Sequence, residues 1–139
     1  MSTLHLTPAI ALHASAALAA TAIGPVALWA RQGRAQRPRL HRAAGYAWVT
    51  LMAAAAISAL FIPGTLGPRW GSFGPIHLFV PVTLGELVLA FGCLLRGNIA
   101  GHRWVMQRLY LGACVAAGLF TLLPGRLLGQ WLGTQLGWL

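Results

Sequence analysis

Five histidines occur in a chain with a single carboxylate, and four of them form a pattern: His13, His41, His77 and His102, each near the start of an apolar stretch. His13 is followed 28 residues later by His41-Arg42, and His77 is followed 25 residues later by His102-Arg103, so the second half repeats the layout of the first. Neutral imidazoles opposed across a helical bundle supply both axial ligands of a haem iron, and two such pairs at different depths would carry an electron through a bilayer. Diagonal helices of an up-down-up-down bundle would pair His13 with His77 towards one face and His41 with His102 towards the other. The four histidines are therefore candidate metal ligands for one or two haem b groups. Quinone or a redox protein would be the exchange partner. His5 precedes the first apolar stretch and is assigned no ligand role.

Two further features sharpen the pattern. Arg42 and Arg103 follow histidines at expected helix N-termini, where the helix dipole already disfavours a cation, so an anion is expected beside them. Haem propionates and lipid phosphates both suit. Glu86 lies near the middle of the third apolar stretch, where a carboxylate is expensive. It is a candidate proton relay; otherwise it would be protonated and bonded to Thr83 or to a facing hydroxyl such as Ser58 or Thr121. The face that follows His13, formed by Ala16, Ala17, Ala20 and Gly24, is small enough either for close helix packing or for a flat macrocycle.

The elements that must position these residues follow from composition. Of the 139 residues, 58% are hydrophobic and 8% charged, a balance unlike that of a soluble domain. Four spans of about 20 residues, each long enough for a ~30 Å hydrocarbon core, are drawn over residues 8–30, 43–62, 75–95 and 104–123. Period-two alternation is absent and Ala, Leu and Gly dominate, which favours helices over a β-barrel. The expected fold is all-α: a single integral-membrane domain over residues 1–139, a four-helix bundle. A Pro/Gly-rich connection, residues 63–75, puts Trp70 at the lipid interface. A short tail, residues 125–139 with Trp131 and Trp138, reads as an interfacial amphipathic helix.

The net charge of +9 comes from arginine, but no basic stripe interleaved with aromatics appears, so nucleic acid is not an expected partner. Arg31, Arg34, Arg37, Arg39 and Arg42 cluster between the first two spans, and Arg96 and Arg103 flank the turn before the fourth. The positive-inside rule makes that side cytoplasmic and places both termini outside. No basic residue precedes the first span, so it is expected to be a span and not a cleaved signal peptide. Cys93 and Cys114 sit at different depths without metal-site spacing and are expected to be free packing residues. No catalytic triad, phosphate loop or carboxylate pair points to a hydrolase or transferase.

The motifs Leu12-His13, Gly24-Pro25, Arg31-Gln32-Gly33, His41-Arg42-x-x-Gly45, Met52, Ile76-His77-Leu78, His102-Arg103-x-x-Met106 and Ala117-Gly118-x-Phe120-Thr121-Leu122-x-Pro124-Gly125-Arg126 cover nearly the whole chain. They resemble a bacterial family of small predicted membrane proteins known only as a domain of unknown function. The resemblance implies a four-helix membrane protein and little more; the expected location is the bacterial cytoplasmic (inner) membrane, with the chain multi-pass. The histidine layout separately resembles four-helix di-haem b-type cytochromes, an analogy of architecture. Electron transfer is thus the leading expectation. The rivals are a non-catalytic accessory subunit, which would hold lipid or a larger complex, and a small proton-coupled carrier or sensor.

Overall fold

The computed structural model describes residues 7–34, 36–64, 71–123 and 126–137. His5, Trp70 and Trp138, with the expectations attached to them, lie outside the described residues. Helices α1 (Pro8–Trp29), α2 (Pro38–Ala59), α3 (Phe79–Leu95), α4 (Ile99–Leu109), α5 (Ala117–Thr121) and α6 (Leu127–Leu136) follow in order, and no strand occurs among the described residues. A 3₁₀ turn, Pro75–Leu78, leads into α3, and π-helical turns over Tyr110–Ala116 join α4 to α5 without a break.

Local chemistry fixes the helix starts. Pro8 and Pro38 stand in the first turns of α1 and α2, where a missing N–H costs nothing. Thr7 caps α1 by accepting from the Ile10 N–H, and the Asn98 side chain accepts from the Gly101 N–H at 2.8 Å to cap α4. α2 and α4 each begin five residues before the expected spans at residues 43 and 104. Hydropathy marks where apolar residues begin, whereas the helix begins at its cap. His41 and His102 consequently sit one turn inside their helices.

α1 packs along α2, α3 along α4, α2 against α3, and α1 against the π-helical turns. The interior where they meet holds Ala20, Trp48, Met52, Leu87, Leu109 and Cys114. Alanine fills most of the other buried apolar positions, Ala16, Ala27, Ala44, Ala55, Ala56 and Ala90 among them, while many large apolar side chains point outwards: Leu18, Phe61, Val88 and Leu95 are all exposed. An interior rich in small residues under an apolar exterior is the arrangement of helices solvated by lipid. Two stretches, Pro8–Trp29 and Pro75–Leu95, are long and apolar enough to cross a membrane. The expected second and fourth spans fall short of the same measure, because α2 opens with Arg39, His41 and Arg42 and the fourth rod carries Arg103 and Arg108.

The tail forms α6, and its packing adds to the sequence reading. Gly129 and Gly133 are buried, and a Cβ on Gly129 would lie 2.2 Å from the Leu123 carbonyl oxygen. The helix therefore presses a glycine face onto the end of α5 and leaves Trp131 and Leu136 exposed. Both cysteines are free, and the Cys114 thiol lies 3.6 Å from the Met52 sulfur.

Candidate functional site

Each helical hairpin is closed by a histidine. His41 Nδ1 lies 2.8 Å from the Ala27 carbonyl oxygen of α1, and His102 Nδ1 lies 2.9 Å from the Ala90 carbonyl oxygen of α3. A carbonyl only accepts, so Nδ1 carries the proton and a neutral ring keeps its lone pair on Nε2. Ala27 lies in the last turn of α1, whose carbonyls have run out of intrahelical donors. The corresponding histidines of the two halves therefore make the same contact with the preceding helix.

The first members of the repeat differ. His13 Nδ1 donates to the Ala55 carbonyl of α2 at 2.8 Å, with the Ser58 hydroxyl 3.5 Å away. His77 instead locks a loop. Its Nδ1 accepts from the Gly74 N–H at 3.0 Å, its Nε2 donates to the Ile62 carbonyl at 3.0 Å, and Phe73 stacks edge-on against the ring. Gly64 is required there, since a Cβ would come 2.9 Å from the Gly74 nitrogen.

The registers are symmetrical. Ala27 and His41 lie seven residues on either side of Arg34, and His13 and Ala55 lie twenty-one on either side of the same residue. The α1–α2 hairpin is thus tied at two levels about one centre. In the second hairpin, Ala90 and His102 lie six residues either side of Arg96.

Glu86 does not bond Thr83, Ser58 or Thr121. It forms an ion pair with Arg108 of α4, whose guanidinium also stacks 4.2 Å over the Trp104 ring. Ser58 donates to the Ala55 carbonyl and Thr121 to that of Gly118. The two charged residues lie eleven positions either side of Gly97, so the hairpin register alone brings them together. Equal spacing from the turn was the signal that would have found this pair, and sequence reasoning missed it. The second carboxylate oxygen of Glu86 and the indole nitrogen of Trp48 are buried without a partner among the described residues.

The small face of α1 is filled. A Cβ on Gly24 would lie 2.4 Å from Tyr110 Cε2 and 3.0 Å from Trp48 Nε1, and the Tyr110 hydroxyl donates to the Thr21 carbonyl. Aromatic rings from α2 and the π-helical turns occupy the space that could have been read as room for a macrocycle. The void left beside them, lined by Gly24, Ala27, Leu28, Trp48, Met106 and Tyr110, measures about 20 Å³. Ligand cavities are usually about 300–1,000 Å³. A groove of about 330 Å³ between the start of α1 and the end of α2 is almost entirely apolar on its surface and has no histidine in its lining. Three histidines thus retain the nitrogen a metal would use, but neither of these two spaces gives a haem room beside one. His77 would first have to release Ile62. No cluster of three or more His, Cys, Asp or Glu side chains able to hold a metal occurs among the described residues.

On the arginine-rich side, Arg37 stacks 5.3 Å from the Trp29 ring, while Arg31, Arg34, Arg39, Arg42, Arg96 and Arg103 are exposed. Arg42 and Arg103 lie directly after the two clasping histidines, free to meet an anion. An apolar exterior, a small-residue interior and a basic rim define an all-helical membrane protein. The chain belongs to the family described as "Predicted membrane protein (DUF2306)", whose model matches residues 10–132. Neither a curated protein nor a solved structure matches it.

Proposed function

We propose that the protein is a non-catalytic subunit of the bacterial cytoplasmic membrane that crosses it four times, with both termini outside and the arginine-rich turns on the cytoplasmic face. There it holds anionic lipid and supports a larger membrane assembly. The observation that carries this reading is the use made of the histidines: each of the four rings is bonded to a backbone carbonyl, while Trp48 and Tyr110 fill the space beside α1. Four crossings accord with the antiparallel hairpins and with rods of about 22 residues, each ~33 Å long at 1.5 Å per residue. The exposed arginines give phosphate groups several donors at one level.

A second reading retains the haem b electron carrier, with quinone or a redox protein as partner. What favours it is the free Nε2 of His13, His41 and His102, since a ligating imidazole ordinarily donates its other N–H to a carbonyl. His41 and His102 would hold the group, and Arg42 and Arg103 would meet its carboxylates. The Glu86–Arg108 pair makes the proton-carrier reading the weakest, because the carboxylate is already matched by a cation.

One experiment separates the readings: a reduced-minus-oxidised visible spectrum of protein purified in mild detergent from haem-replete cells, with co-purified phospholipid identified by mass spectrometry. A colourless protein that retains anionic phospholipid supports the subunit. Sharp b-type bands at one or two haems per chain overturn it in favour of the carrier.

A further inference from the structure

We infer that the protein self-associates in the membrane through the face that carries Glu86 and Arg108, with a second copy of this chain as the partner. The inference rests on the proposed placement of α3 and α4 in the bilayer. Glu86 lies nine residues before the end of α3 and Arg108 nine after the start of α4, so both stand about 13 Å from the turn that joins them, near the middle of a ~30 Å hydrocarbon layer. The Arg108 side chain is 46% exposed there and that of Glu86 18%. Ionisable groups at that depth normally face a bundle interior or a polar cavity, because hydrocarbon offers no hydrogen bonds. The Arg108 side of this pair faces outwards, while the second carboxylate oxygen of Glu86 is buried. In the isolated chain, the exposed part of the Arg108 side chain would meet lipid tails.

The chemistry of the patch identifies what covers it. A guanidinium has five N–H donors and only part of that capacity goes to Glu86, while a carboxylate accepts up to about four hydrogen bonds. Two copies related by a two-fold axis set two ion pairs head to tail, so that each guanidinium turns its remaining donors to Oε1 of the partner's Glu86, Oε2 being buried within its own chain. The assembly stays neutral. A protein supplying only a cation or only an anion would leave one charge unmatched.

The surroundings of the pair suit close approach. Gly85, beside Glu86, and Gly112, one turn beyond Arg108, are exposed, and a Cβ on either would meet nothing within 4 Å. A glycine inside a helix costs about 1 kcal/mol relative to alanine, and nothing within the chain requires either one. Small residues at membrane helix surfaces let backbones approach. Val82 and Leu89 on α3, with Leu111 on the π-helical turns, supply an apolar rim.

The test counts copies of fluorophore-labelled full-length protein in liposomes by single-molecule photobleaching across a range of protein-to-lipid ratios. Two-step bleaching well above random co-occupancy is expected for the native chain. Gly85→Leu and Gly112→Leu have room in the single chain but block a neighbour, so each should weaken association at least about tenfold with helicity unchanged. Glu86→Gln with Arg108→Gln should weaken it too. One-step bleaching at every density, or leucine variants that pair like the native protein, overturns the proposal. Leu111→Cys in a Cys93→Ser, Cys114→Ala background, treated with a membrane-impermeant maleimide, tests the placement separately. Protection there with one-step bleaching defeats the pairing alone, and rapid labelling defeats the placement beneath it.

Discussion

His41 reaches back across its hairpin to the carbonyl of Ala27, 2.8 Å away, and lies one turn inside α2, opposite the last turn of α1. The bond satisfies a carbonyl that has no helical donor and directs the ring along α1. His41→Ala should therefore destabilise the fold by about 1–2 kcal/mol, the cost of a part-buried hydrogen bond and an orphaned acceptor. Unfolding in mixed detergent micelles measures it. His102→Ala should cost less, about 0.5–1.5 kcal/mol, because Ala90 lies inside α3 and its carbonyl keeps a helical donor, and the two effects should add, since the clasps share no partner.

Gly24 is paired with Tyr110 by shape. Gly24→Ala drives a methyl into the tyrosine ring and should cost about 1–3 kcal/mol through overpacking. Combining it with Tyr110→Ala should recover much of that loss, and a double-mutant cycle on thermal unfolding reads the coupling. Additive costs would place Tyr110 elsewhere.

The His77 lock is local. His77→Phe removes the acceptor for the Gly74 N–H and the donor to Ile62 while keeping an aromatic ring. Hydrogen exchange at the Gly74 and His77 amides should accelerate at least about tenfold, with the α1–α2 hairpin unaffected.

Arg42 and Arg103 separate topology from recognition. Replacing both with glutamine leaves Arg31, Arg34, Arg37, Arg39 and Arg96 to set orientation. Insertion should stay normal while retention of anionic phospholipid falls by native mass spectrometry. Unchanged retention would assign these two arginines to topology alone.

Gly129→Leu should release α6 from α5, because the added carbon would coincide with the carbonyls of Leu122 and Leu123. Protease sensitivity of the tail should rise while the rest of the chain keeps its stability.

Sequence made the helical class and the family legible, because composition and spaced motifs persist along the whole chain. It also singled out His13, His41, His77 and His102, as candidate haem ligands, and the structure gives each a backbone carbonyl as partner. It did not reveal those partners, because a backbone carbonyl has no sequence signature and an imidazole that caps a helix reads the same as one that binds iron. Gly24 shows the same limit: a small residue marks close approach without naming what approaches, here Tyr110 and Trp48. Glu86 and Arg108 were recoverable in principle, as residues equidistant from a turn, had the hairpin register been counted outwards from Gly97.

The symmetry of the clasps about Arg34 bears on the order of assembly. Both histidine bonds of the first hairpin close within residues 13–55, so every partner they need has been synthesised before α3 exists. The second hairpin likewise carries its own tie, His102 to Ala90. On the proposed four-crossing topology the two halves should fasten separately and dock afterwards through α2 with α3 and α1 with the Tyr110–Ala116 turns. A chain ending after Ile62 and held on the ribosome by a linker long enough to clear the exit tunnel should already protect His13 and His41 from modification, whereas Tyr110 should become protected only when the full length has been made.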